Sequence, residues 1–179
     1  MINRRRLGSK DIALDANSLR VLWKGDTGGA SYPLFVQPVS VLDISTSAFY
    51  PIEWYGAKLV NGGDYEAYGF FMTPAAASIT ITPVVNVTAN GTARNIRCKT
   101  SRLSAVDDAQ AAASTTGFAT VAIPSGTNNF IYFHAIAQTL TWSASASEFV
   151  QLSFYRDAGV AADTVEADIY LMGWKLDYA

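Results

Sequence analysis

From residue 33 onward, apolar and polar positions alternate with a period of two over most of the chain. Residues 78–88 are the clearest case: Ile79, Ile81 and Val85 alternate with Thr80, Thr82 and Asn86, as in a strand with one face on a core. The same pattern predicts strands over 34–44, 51–60, 65–72, 93–101, 118–123, 130–141 and 148–156, with a last one inside 165–178. Pro38 interrupts the first and suits an edge strand or a bulge. Asn61-Gly62-Gly63-Asp64 and Asn90-Gly91 are turn signals, and each predicts a hairpin between the strands beside it. Residues 124–129 form another turn, and the small, polar stretch 104–117, with Ala111-Ala112-Ala113, is a surface loop or one short helix. Strands about every ten residues with turn residues between them predict an all-β sandwich in one domain, residues 33–179.

The last thirty residues read as a closing hairpin around a polar loop. In its first strand Val150, Leu152, Phe154 and Arg156 oppose Phe149, Gln151, Ser153 and Tyr155. In its second, Ile169, Leu171, Gly173, Lys175 and Asp177 alternate with Tyr170, Met172, Trp174, Leu176 and Tyr178. Both faces carry apolar groups, so the hairpin is expected to be covered on both sides, by a second sheet or by another subunit.

Residues 1–32 lack this alternation and are read as an attachment arm, in which Ser9 or Asp11 could cap a short helical turn. Gly25-Asp26-Thr27-Gly28-Gly29 breaks the chain after it; no Gly-Lys-Ser/Thr follows, so it is a joint and not a phosphate loop. Charge is concentrated here. Residues 1–24 hold Arg4, Arg5, Arg6, Lys10, Arg20 and Lys24 against Asp11 and Asp15, a net +4, leaving −6 for the rest of a chain of net −2. A basic arm on an acidic body suits docking onto an acidic or apolar protein. Nucleic acid is not an expected partner, because the body has no basic stripe interleaved with exposed aromatics.

Half of the 179 residues are apolar and only 16% are charged, against roughly 25% in an ordinary soluble domain. So uncharged a surface is expected to be partly buried against partners. No apolar run approaches the ~18 residues of a membrane span, so membrane insertion is not expected. No apolar segment follows Arg4-Arg5-Arg6 to make a secretory signal. Cys98 is the one cysteine, which leaves core packing and oligomerisation, not an internal disulfide, to hold the fold. Its expected role is that of a small buried hydrophobe.

Candidate chemistry is sparse. The one histidine, His134, shares a strand face with Phe130, Tyr132 and Ile136 and has no Gly-x-Ser-x-Gly elbow to serve. One His and one Cys do not make a zinc site. Asp157, Asp163, Glu166 and Asp168 could suggest calcium, but acids on a strand-connecting loop are ordinarily solvated. Glu53 and Glu66 are the one carboxylate pair a glycosidase reading could use, and their spacing does not require them to meet. No enzyme, metal or cofactor is expected. Sugar binding is the better alternative, since aromatic rings stack on the apolar faces of sugars; Trp54, Tyr55 and Trp142 are the candidate contacts, with Trp142 expected to be exposed beside a small, polar loop.

A strand ending Phe154-Tyr155-Arg156-Asp157, an Asp163-Thr164 shortly after, and Ile169-Tyr170-Leu171-Met172-Gly173-Trp174-Lys175-Leu176-Asp177-Tyr178 resemble the closing hairpin of the jelly-roll accessory and fibre proteins of tailed bacteriophage virions. Asp64-Tyr65-Glu66-Ala67-Tyr68-Gly69-Phe70-Phe71-Met72-Thr73-Pro74 is similar to the aromatic strand that runs into a proline turn in those domains. The resemblance spans residues 50–178 with gaps. It implies a single jelly-roll-like antiparallel β-sandwich with an extended N-terminal arm, assembled in a host cytoplasm as a homotrimer on a virion, as a capsid decoration, head-fibre or tail-fibre subunit. It implies capsid or tail proteins as partners, a host surface glycan as a possible contact, and no catalytic residues. On this reading Phe154, Arg156, Tyr170, Met172 and Trp174 lie in the subunit interface, and Arg4, Arg5, Arg6, Lys10 and Arg20 anchor the arm.

Overall fold

The computed structural model describes the backbone of residues 3–179 apart from 8–9, 16–19, 25–30, 34, 54–55, 74, 89–93 and 124–130; side chains are described from Phe35 on, without those positions and without 88, 131 and 132. Every regular element among the described residues is a strand. Residues 3–33 hold β1 (Asn3–Leu7), β2 (Lys10–Asp15), β3 (Arg20–Lys24) and β4 (Ser31–Pro33), paired in that order as a four-stranded antiparallel sheet. The expected helical turn after Ser9 or Asp11 is therefore strand β2 instead. Arg4, Arg5 and Arg6 fall in β1, Lys10 in β2 and Arg20 in β3; their side chains lie outside the described residues.

The remaining strands are β5 (Phe35–Val36), β6 (Ser40–Asp43), β7 (Ala48–Tyr50), β8 (Ala57–Leu59), β9 (Asp64–Met72), β10 (Ala77–Thr88), β11 (Arg94–Ala105), β12 (Ala112–Thr115), β13 (Ala119–Ile123), β14 (Ile131–Ala135), β15 (Leu140–Ala144), β16 (Phe149–Asp157) and β17 (Ile169–Tyr178). They build two antiparallel sheets packed as a sandwich. In the smaller, β14 and β15 follow one another along β10, which pairs with β17, and β8 and β5 share the far edge of β17. In the larger, β12 and β13 lie along β11, followed by β16, β9, β6 and β7. The chain changes sheets at β5/β6, β7/β8, β8/β9, β9/β10, β10/β11, β13/β14, β15/β16 and β16/β17. The resulting orders, β8-β17-β10-β14 and β9-β16-β11-β13, are those of a jelly roll.

This connectivity corrects the local pairings expected from the turn residues. Asn61-Gly62-Gly63 joins β8 in the smaller sheet to β9 in the larger, and residues 89–93 join β10 to β11 across the same gap, so neither pair is a hairpin. The expected strand 34–44 is two strands in different sheets, with Pro38 at the crossing. Residues 104–117 are neither loop nor helix throughout: β11 runs on to Ala105 and β12 returns along it. Pro83 is tolerated inside β10 because its side facing β14 and β15 is where those strands break; its carbonyl accepts the Ile136 N–H at 2.8 Å there.

The closing hairpin is likewise two strands of opposite sheets. β16 pairs with β11 and β9, and β17 with β10, β8 and β5. Each is central in its sheet, which explains why both are so apolar. β17 also carries a bulge: Val84 pairs with Gly173 and Val85 with Leu171, leaving Met172 unpaired. The bulge inverts the alternation, so Ile169 and Leu171 before it and Trp174 and Leu176 after it all face the core. Gly173 is required at this point. Its φ is +145°, and a Cβ there would lie 2.1 Å from the Val36 carbonyl oxygen.

The core is made by Ile79, Ile81 and Val85 of β10 with this face of β17, against Ile96 and Cys98 of β11, Val150, Leu152 and Phe154 of β16 and Ala67 and Phe71 of β9. Burial pushes the Cys98 thiol up to about 12, with Asp163 adding to the shift and Arg156 opposing it. Native protein is therefore expected to leave a thiol reagent such as DTNB unreacted at mildly alkaline pH and to react once unfolded in urea, read by absorbance; rapid labelling without denaturant would contradict this packing.

Candidate outer-face site

Register places the polar and apolar residues of the larger sheet's outer face in rows across the strands. Ser40 of β6 stands opposite Tyr68 of β9, Tyr68 opposite Ser153 of β16, Ser153 opposite Ser101 of β11, and Ser101 opposite Thr115 of β12. Five hydroxyls thus line one row, at the ~4.8 Å spacing of neighbouring strands. The next row is Phe70, Gln151, Leu103 and Ala113, and the one beyond it Met72, Phe149 and Ala105.

A groove of about 410 Å³ opens along these rows between β16 and β12, lined by Ser101, Leu103, Ser114, Thr115, Gln151 and Ser153 among others. The Ser101 hydroxyl meets that of Thr115 at 3.2 Å. Arg102 also borders the groove, but its guanidinium is engaged on the sheet's other face, 3.3 Å from Glu148 and over the Trp142 ring at 4.8 Å. On the far side of the hydroxyl row Lys99 stands 4.9 Å from the ring centres of both Phe118 and Tyr155, and Arg97 lies over Phe118 and pairs with Asp157 at 3.3 Å. Burial, then the nearby Asp64, Asp157 and Glu66, push the Tyr155 phenol up to about 12. Burial and the Asp64 carboxylate across the strand pair raise Asp157 as well, against the pull of Arg97.

Beside the groove, Phe70, Met72, Leu103 and Phe149 form an exposed apolar patch, with Phe149 59% exposed. This patch and the groove were not foreseen from sequence. Their residues come from four strands far apart in the chain, and only the register brings them together.

The residues expected at functional positions are distributed differently. Phe154, Arg156 and Trp174 have no exposed surface within one chain. Their side chains fill the sandwich because β16 and β17 are central strands and the bulge turns Trp174 inward. Tyr170 and Met172 are half-buried in β17. Trp142 packs against the core with Arg102 over its ring, so that face is closed to a sugar. Trp54 and Tyr55 lie outside the described residues. The acids of the 157–168 loop are each set against a cation: Asp157 on Arg97, Asp163 on Arg156 at 3.0 Å, Glu166 on Arg94 at 3.7 Å and Asp168 on Lys58 at 3.1 Å. Asp157, Asp163 and Asp168 are thus ion-paired where solvated acids were expected, whereas Glu166, 83% exposed, remains solvated. His134 stands opposite Val85 in β14, half-buried, and burial lowers its pKa.

No protein-family model and no curated protein sequence matches this chain. Among solved structures, the enzymatically active domain of tailspike protein 4 from bacteriophage CBA120 is similar over 100% of this chain, with a TM-score of 0.36 and 9% sequence identity. The chain spans 19% of the length of that one.

Proposed function

We propose that this chain is a structural virion protein of a bacteriophage, a decoration or fibre subunit that self-associates, as a trimer, through the outer face of its larger sheet. The observation that carries this reading is the apolar patch of Phe70, Met72, Leu103 and Phe149. Half-exposed, the four offer roughly 400 Å² of apolar surface, a size that on single chains is often functional. That is also about the apolar share of a standard interface of about 800 Å² per partner. The virion assignment and the number three come from the resemblance of the 64–74 and 154–178 segments to phage jelly-roll proteins. The basic residues of 1–24 would dock the assembly onto a larger protein.

Light scattering coupled to size exclusion tests this. The wild-type chain is expected at about three times its 19.2 kDa and the Phe149→Asp variant at the monomer mass with an unchanged circular dichroism spectrum. Phe149 is exposed in a single chain, so its replacement is expected to alter folding stability by no more than about 0.5 kcal/mol. A monomeric wild type, or a variant that stays assembled, would remove this face from the interface.

A further inference from the structure

We propose that the groove between β12 and β16 is a binding site for a neutral saccharide, with Ser153 and Gln151 as its main polar contacts. Ser153 lines the groove and is only 6% exposed. A hydroxyl so placed ordinarily has a protein partner. The Ser153 side chain makes no hydrogen bond among the described residues, and neither does that of Gln151 on the same strand. Two polar side chains with free capacity therefore face one concavity beside the Ser101 and Thr115 hydroxyls, and its volume falls within the ~300–1,000 Å³ of small-molecule sites.

The lining selects the ligand. Hydroxyls and a carboxamide donate and accept alike, which matches the hydroxyls of a sugar. Among the described residues, no charged group points into the groove: the Arg102 guanidinium is on the other face with Glu148, and Lys99 and Arg97 are held one row away by aromatic rings and Asp157. An anionic ligand would find no counter-charge. Leu103 within the groove and Phe70 beside Gln151 supply apolar surface for the C–H face of a sugar ring. The contacts differ from Trp142, the nominated aromatic among the described residues, which does not line this groove.

The proposal is argued from the groove and not from self-association, but Leu103 and Phe70 serve both, so the sugar is expected to bind the Phe149→Asp monomer at least as tightly as the assembly. Titration calorimetry of the full chain with maltotriose, chitotriose and a galactose disaccharide is the test, with sialyllactose and a neutral Ser/Gly peptide as comparisons. At least one neutral sugar is expected to saturate the protein. Ser153→Val and Gln151→Ala are each expected to weaken it about tenfold, as for the loss of one or two hydrogen bonds. Phe133→Ala, an exposed change on the other sheet, is expected to leave it unchanged. Thermal melts establish that each variant is folded. Repeating the titration on Phe149→Asp separates the two readings, since a monomer with an intact groove should still bind. Absence of saturable binding by all three sugars, unaltered affinity in both groove variants, or tighter binding of sialyllactose or the peptide would each overturn the assignment.

Discussion

Replacing Arg156 by methionine is expected to lower stability by about 3–5 kcal/mol, the usual effect of breaking a buried ion pair from one side. The guanidinium has no exposed surface, and all of its donors are engaged. Nε and one terminal nitrogen form two parallel bonds to Asp163 at 3.0 Å, and that nitrogen also donates to the Val165 carbonyl at 2.7 Å. The other donates to the carbonyls of Leu59 at 3.1 Å and Ala167 at 3.0 Å. One side chain of β16 in the larger sheet thus ties down β8 of the smaller sheet and the 158–168 loop. Asp163 is equally committed, accepting the backbone N–H groups of Arg97 at 3.2 Å and Val165 at 3.2 Å. Lysine is not expected to rescue, because an ammonium lacks the planar fork that serves five acceptor directions. Removing Asp163 as well should recover part of the loss, since the two residues act as one unit, but not all of it, since three carbonyls stay unpaired. Urea unfolding of both single variants and the double variant measures the coupling. A loss below about 1 kcal/mol for Arg156→Met would show that the pair is dispensable.

The same residue illustrates what the sequence does and does not carry. Alternation of residue classes located nearly every strand of the sandwich, because each strand has one face on the core and the side-chain period is two. Phe149 to Arg156 was divided correctly between inner and outer faces by that rule alone, for β16 is regular along its length. Partner identity was not legible. Asn61-Gly62-Gly63 announces that the chain turns, yet a tight turn and a crossing between sheets use the same residues for the same backbone reason. Arg156 was therefore assigned to the end of a hairpin, whereas it closes one end of the sandwich. Its acceptors are backbone carbonyls, which any residue offers, and Asp163 lies in a loop whose path cannot be inferred from periodicity.

The outer-face site was hidden for a related reason. Ser101, Thr115 and Ser153 are unremarkable in their own segments, and serine on a strand's exposed face is the bland expectation. They become a row through the register of β12, β11 and β16, which is set by the core faces of those strands and not by the serines themselves. Tryptophans, by contrast, are conspicuous in a sequence through their size. That size is also what favours burial: of the two tryptophans described, one is wholly inside and the other packs on the core.

Trp174→Asp is accordingly expected to abolish folding and not to separate folded subunits. The indole lies directly against Gly69 of β9; a Cβ at Gly69 would stand 2.6 Å from its Cζ3 atom. Trp174 therefore spans the gap between the sheets, and the absence of a side chain at Gly69 is what makes room for it. Truncation to alanine alone is expected to cost about 3–5 kcal/mol through lost burial and the cavity left behind. An aspartate adds a carboxylate buried in the apolar core, within a total stability of about 5–15 kcal/mol. Phenylalanine keeps most of the ring volume and loses no hydrogen bond among the described residues, where the indole N–H has no partner, so Trp174→Phe should remain folded. Circular dichroism and light scattering together decide the matter. A Trp174→Asp chain with a native spectrum and a monomer mass would place this indole at a subunit contact after all. Loss of the β spectrum in the aspartate variant, with Phe149→Asp folded and monomeric, would locate the core at β17 and the association surface on the opposite sheet.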